Sequence, residues 1–111
     1  MAGSDELAAR IDQTAAAIEG VQRQAESTGI RYAVAGVAFA FVSGDRAVFR
    51  LRPDVAEAAL GTPDVRATDL GAGWVELAPS ELDRFALDRA ASWFAAAARY
   101  AAEGTPERLT H

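Results

Sequence analysis

The chain contains no cysteine and no lysine, and its one histidine is the last of 111 residues. Without cysteine there can be no disulfide, no thiolate metal site and no thiol nucleophile. Without lysine there is no Schiff-base amine and no phosphate-loop lysine. With the only imidazole at His111, a metal would have to be held by carboxylates alone. Those acids are scattered: Asp45, Asp54, Glu57, Asp64, Asp69 and Glu76. Asp54 and Glu57 lie one turn apart on a short helix, but Asp54 suits the helix N-terminus, where the dipole favours an anion. The hydroxyls have structural roles open to them. Ser4 and Ser80 stand at helix starts, Ser43 stands in a turn, and Ser92 lies within a helix where it can bond back to a carbonyl. No catalytic residue, metal or cofactor is expected, and the chain reads as non-enzymatic.

Long apolar runs are missing as well. A membrane helix needs about 20 consecutive apolar residues, and the nearest stretch, Phe94 to Gly104, is interrupted by Arg99. The first ten residues carry Asp5 and Glu6 and lack an apolar segment, so no secretory signal is expected. The expectation is a cytoplasmic protein without membrane contact.

Half of the residues are apolar, enough for one compact core. Residues 1–104 read as a single domain and residues 105–111 as a disordered tail. The formal net charge is −5, which does not steer a protein toward nucleic acid. All eleven basic residues are arginine. They can serve planar recognition of phosphate or carboxylate, or they reflect GC-rich coding, which favours Arg and Ala together. The Ala-rich helices favour the second explanation.

Periodicity predicts a first helix from Asp5 to Ser27, with Leu7, Ile11, Ala15, Ile18, Val21 and Ala25 as its apolar stripe and Ser4 as its N-cap. Gly20 weakens it, and Gly29 suits a C-cap. Strands are expected at Ile30–Val34, Val37–Val42 and Arg46–Leu51, with a hairpin turn at Ser43-Gly44-Asp45. Pro53 then opens a helix to Leu60, closed by Gly61 and Pro63. Val65–Asp69 and Trp74–Ala78 read as two more strands. Between them Gly71-Ala72-Gly73 reads as a turn, because a phosphate loop would lead into a helix rather than a strand. Ser80 and Asp83 are placed to start the last helix, whose buried side is Leu82, Phe85, Ala86, Ala90, Trp93, Phe94, Ala97 and Ala101. Gly104-Thr105-Pro106 is its expected end.

The predicted class is α+β, in the order α-β-β-β-α-β-β-α, an antiparallel sheet with helices packed mainly on one face. Strand alternation assigns Phe39, Phe41, Phe49, Leu51, Val75 and Leu77 to the helical face. It assigns Ala38, Ala40, Arg46, Val48, Arg50, Arg52, Trp74 and Glu76 to the open face.

This order, with Leu51-Arg52-Pro53-Asp54 at a strand-to-helix junction, Gly73-Trp74-Val75 entering a strand and Ser92-Trp93 on the last helix, resembles the MmcQ/YjbR-like family. The likeness runs from about Phe39 to Tyr100. Arg52 stands where the family pattern has lysine, and Trp93 where it has tyrosine. The resemblance implies a fold similar to type III secretion chaperones and carries that family's label of predicted double-wing DNA binding.

The candidate surface is Arg46, Arg50 and Arg52 with Trp74. Three guanidinium groups on one strand face, beside an indole, can form an anion or nucleic-acid platform. They can equally be an exposed polar face, with arginines paired to Glu76 or Asp54. A third reading takes Ala38, Ala40, Val48 and Trp74 as an interface core rimmed by arginine, which can join two copies or hold a protein partner. Three arginines fall short of the six to ten or so phosphates that specific duplex binders commonly neutralise. The sequence therefore favours a small binding module with its contact surface on the open sheet face, with DNA binding as the alternative.

Overall fold

The computed structural model describes the backbone of residues 2–81 and 83–109 and the side chains of residues 6–81 and 83–103. The chain folds as α1 (Ala2–Ala16), β1 (Val21–Glu26), β2 (Gly29–Val34), β3 (Val37–Ser43), β4 (Arg46–Arg50), α2 (Pro53–Ala59), β5 (Val65–Ala67), β6 (Trp74–Leu77) and α3 (Arg84–Leu109). The class is α+β, as expected. All six strands belong to one antiparallel sheet in the order β1-β2-β3-β4-β6-β5.

The main departure lies near the N-terminus. The expected first helix stops at Ala16, and residues 21–26 form a strand. Gly20 takes φ of 90°, a left-handed conformation that ends the helical path. Val21, Arg23 and Ala25 then fall on one face by the two-residue period, although Val21 and Ala25 also continue the helical stripe. Gly29 is no C-cap but the first residue of β2, paired with Glu26 across the Ser27-Thr28 turn. A Cβ at Gly29 would come within 2.2 Å of the Val42 carbonyl oxygen, so glycine is required by close approach. The helix starts at Ala2, before the expected Ser4 cap, whose side chain lies outside the described residues.

Turn chemistry sets the remaining hairpins. Ala35 and Gly36 both have positive φ (51° and 82°), the combination of a type I′ turn. Gly44-Asp45 links Ser43 to its partner Arg46, as expected. Gly73 (φ 88°) lies against Leu51: its carbonyl accepts from the Leu51 amide at 2.8 Å, and a Cβ there would meet the Leu51 oxygen at 2.8 Å.

A bulge interrupts the β2–β3 pairing. Tyr32 opposes Ala40 and Ala33 opposes Ala38, which leaves Phe39 as the extra residue. Phe39 and Ala40 are consequently both buried, and the phase of β3 beyond them is inverted. Ala40 therefore belongs to the helical face and Phe41 to the open face, the reverse of the sequence expectation. The other strand phases hold, with Phe49, Leu51, Val75 and Leu77 buried.

The helices cover one face. Leu7, Ile11 and Ala15 of α1 are buried, as are Ala86, Ala90, Phe94, Ala97, Ala98 and Ala101 of α3. Alanine at most of these positions lets α3 approach the sheet closely, and Phe94 fills the gap. Its ring meets Tyr32 at 4.9 Å and 89°, and Phe39 at 5.0 Å and 65°. Trp93 is half-buried with its ring edge toward Phe49 (6.4 Å). Phe85, expected inside, is 70% exposed, beside the buried stripe of Ala86, Ala90 and Phe94, and α3 begins at Arg84 rather than Ser80. Asp83 is the cap, its carboxylate accepting from the Ala86 amide at 2.9 Å. Ser80 instead donates its amide and hydroxyl to Asp64. α3 continues to Leu109, past the end expected at Gly104-Thr105-Pro106. Leu82 and the side chains beyond Glu103, where the expected disordered tail falls, lie outside the described residues.

Phe94→Ala should cost about 3–5 kcal/mol of unfolding free energy in denaturant titration, because the ring is fully buried and its loss leaves a cavity. Gly73→Ala should also destabilise the fold, through its clash with the Leu51 carbonyl.

Candidate functional site

The open face of the sheet carries Gln22, Gln24 and Glu26 on β1, Arg31 and Ala33 on β2, Ala38 and Phe41 on β3, Arg46 and Val48 on β4, Trp74 and Glu76 on β6, and Arg66 on β5. Cross-strand partners share a face. One row therefore runs across five strands: Arg31, Phe41, Val48, Glu76 and Arg66.

The four candidate residues separate into two groups. Arg46 stays on this face, 3.8 Å from the Glu76 carboxylate. Trp74 stays there too, half-buried, opposite Arg50 in the β4–β6 register. Arg50 starts from the same face, opposite Trp74, but its guanidinium engages the helix layer, 4.9 Å from the centroid of the Tyr100 ring on α3. Arg52 leaves the sheet altogether. It is the residue before Pro53 of α2 and donates to Glu103 of α3 at 2.8 Å. Its guanidinium is also 4.0 Å from Asp54 and 5.7 Å from the Tyr100 ring centroid. Arg50 and Arg52 thus bracket one aromatic ring near the end of α3, and the expected three-arginine strip is dissolved. The partner expected for a guanidinium was the Trp74 indole; Tyr100 takes that place.

Carboxylates answer the guanidinium groups that remain on the open face. Glu76, only 16% exposed, accepts from Arg66 at 2.8 Å and faces Arg46 as well. Arg31 is 2.7 Å from Glu26. A phosphate ligand would have to compete with these acids, although exposed pairs of this kind are each worth only about 0–1 kcal/mol.

The centre of the face is apolar. Phe41, Leu70 and Trp74 line a shallow depression of about 340 Å³, together with Arg31 and Ala38. Leu70 is 59% exposed on the β5–β6 loop. Its amide donates to the Thr68 hydroxyl at 3.1 Å, and the Trp74 amide donates to the Gly71 carbonyl at 3.3 Å. These bonds hold the loop so that Leu70 and Trp74 border the same depression. On the other side of Leu70 a second depression of about 540 Å³ reaches Val48, Arg66 and Glu76. Sequence reasoning missed Phe41, because the bulge at Phe39 is silent in the alternation pattern. It missed Leu70 because the residue sits in what reads simply as a turn.

The most perturbed ionisable group lies on the other face. Asp12 of α1 accepts hydrogen bonds from the Tyr32 hydroxyl and from Arg23 Nε, the latter at 2.9 Å. Burial, followed by the bond to Asp12, pushes the Tyr32 phenol well above its ordinary value, and the same carboxylate raises Arg23. The trio pins α1 to the first two strands. Among the described residues no group of three or more His, Asp or Glu is placed to hold a metal, and no helix is long and apolar enough to cross a membrane.

A folded-state phenol pKa above the unfolded value of about 10 gives stability that is complete below about pH 10 and is lost as pH rises beyond it. Denaturation measured from pH 7 to 11 should show that loss. Tyr32→Phe should reduce the alkaline loss while costing about 1 kcal/mol at neutral pH through the missing bond to Asp12. An alkaline profile unchanged by the substitution would contradict this account.

Compared with family models, with curated proteins and with solved structures, the chain has no match in any of the three.

Proposed function

We propose that this chain is a small non-enzymatic binding module whose contact surface is the open sheet face, and that its partner there is a protein segment rather than nucleic acid. The observation that carries this reading is the pairing of exposed apolar groups with arginines that already face carboxylates. Phe41, Leu70 and Trp74 surround one depression, while Arg31, Arg46 and Arg66 are each met by a carboxylate. An aromatic and aliphatic centre rimmed by arginine suits a protein contact, in which the centre supplies the burial and the rim supplies register. A nucleic-acid face would need guanidinium groups free to meet phosphates. Here Arg50 and Arg52 are engaged by Tyr100 and Glu103, and the net charge is −5.

A cytoplasmic setting belongs to the same proposal and is supported by the lack of cysteine. So does kinship with MmcQ/YjbR-like proteins, which the element order from Phe39 to Tyr100 supports. Double-wing DNA binding is the competing function, and the arginines of β4 are the reason to test it.

Labelled duplex and single-stranded DNA should show no binding at near-physiological salt, and any association at low salt should be unaffected by Trp74→Ala. Peptides selected from a random display library on the immobilised full chain should be apolar and should weaken at least about tenfold with Trp74→Ala, the loss of one buried aromatic anchor. Phe85→Ala, an exposed ring far along the chain on α3, should leave them unchanged. DNA binding that survives moderate salt and is lost in Arg50→Glu would replace the protein-partner reading with the nucleic-acid one.

A further inference from the structure

Strand β1 is one edge of the sheet, and among the described residues nothing pairs with its outer side. Sheet edges present a row of unpaired N–H and C=O groups, and proteins commonly blunt them with lysine, proline, bulges or short strands. The opposite edge follows that rule: β5 has three residues and lies just after Pro63. β1 does not. It has six residues, Val-Gln-Arg-Gln-Ala-Glu, without proline or lysine. Its pairing with β2 is regular from end to end, since the bulge lies one strand further in. Its single charge on the helical side, Arg23, is held by Asp12 at 2.9 Å.

We propose that the outer side of β1 pairs antiparallel with β1 of a second copy of this chain, about a two-fold axis at Gln24. The two sheets would then become one, with both open faces on the same side. The sequence of the edge supports a self-pairing. A two-fold axis normal to the sheet sets residues of like parity opposite each other. With the axis at Gln24, Gln24 faces the partner's Gln24, Gln22 faces the partner's Glu26, and Arg23 faces the partner's Ala25. Amide then meets amide, an amide donor meets a carboxylate in both symmetry-related positions, and the one cation meets a methyl group. Moving the axis to Arg23 would set two guanidinium groups against each other, which is destabilising. Moving it to Ala25 would leave only Gln24 to Glu26 paired within the strand. The favoured register is thus the one that is self-complementary, the property an isologous contact requires.

The same edge borders a depression of about 400 Å³ lined by Gln22, Gln24, Arg31, Ala33 and Ala38. Pairing at β1 brings this hollow next to its symmetry mate, so the two open faces form one continuous surface. The β1 contact itself does not depend on what that surface binds. Val21 and Ala25 are the only apolar residues of the strand, and so polar a segment favours reversible pairing over fibre growth.

The absence of cysteine makes the test direct. Gln24→Cys, the only thiol in its chain, should form a disulfide-linked dimer under mild oxidation much faster than Glu57→Cys, an exposed control on α2. Light scattering of the native chain should give a mass rising with concentration toward twice the 11.7 kDa of one chain. Gln24→Glu should shift that equilibrium toward monomer by about fivefold, the effect of like charges placed opposite across a strand pair, with its circular dichroism unchanged. Trp74→Ala should leave it in place. Equal oxidation rates for the two cysteine variants, or a mass of one chain at every concentration, would overturn the proposal. A dimer that survives Gln24→Glu but is lost in Trp74→Ala would also overturn it, by moving the second copy to the open face.

Discussion

Phe94 occupies the point where the last helix meets the first half of the sheet, and its ring needs two others in fixed places. Tyr32 supplies one edge-on contact from β2 and Phe39 supplies the other from β3. Phe39 can do so only because it is the extra residue of a bulge, which lets two consecutive residues of β3 point the same way. The Tyr32 ring is held in turn by its hydroxyl on Asp12, and so α1 is tied to the same cluster. Around it the buried positions of the helix are alanine, and the neighbouring Trp93 packs toward Phe49 instead. Most of the molecule's arrangement follows: the approach of α3, the seat of α1, and the phase of the strand that crosses between them.

That phase decides what the other side of the sheet displays. Two residues past Phe39, the alternation delivers Phe41 outward instead of inward. The bulge that completes the core therefore also supplies an aromatic side of the outer depression, next to Trp74. Core packing and surface chemistry are linked here through one inserted residue. Charge is distributed with similar economy. Glu76 lies among Arg46 and Arg66, and Arg50 and Arg52 close on Tyr100. Among the described residues, Arg10, Arg23, Arg31, Arg46, Arg52 and Arg66 thus each have a carboxylate within 4.0 Å.

The parts of this fold legible in the sequence are those written in local chemistry. Pro53 with Asp54 marks α2, Gly44-Asp45 marks a hairpin, and the Phe49, Leu51, Val75 and Leu77 alternation marks two inner strands. The parts that were not legible depend on distant partners. Val21 and Ala25 satisfy a helical and an extended period equally, and β1 is decided by pairing with β2 rather than by its own composition. The bulge has no glycine or proline to announce it. For the candidate surface, Arg46 and Trp74 could be placed from strand parity alone. Arg50 and Arg52 could not, because Tyr100 lies about fifty residues further along the chain.

Residue order also bears on how the chain is made. The first four strands end at Arg50, yet the residues that cover their inner face, Ala90, Phe94, Ala97 and Ala101, come last. At ribosomal rates the interval between Arg50 and Phe94 is roughly 2–9 s. During that time Phe39, Val42 and Phe49 belong to a meander without its helical cover. α1, with Leu7 and Ile11, and the short α2 are present to shield part of it. The nascent sheet therefore has its greatest need of protection between Arg50 and Phe94, and its covering waits on the arrival of a single helix.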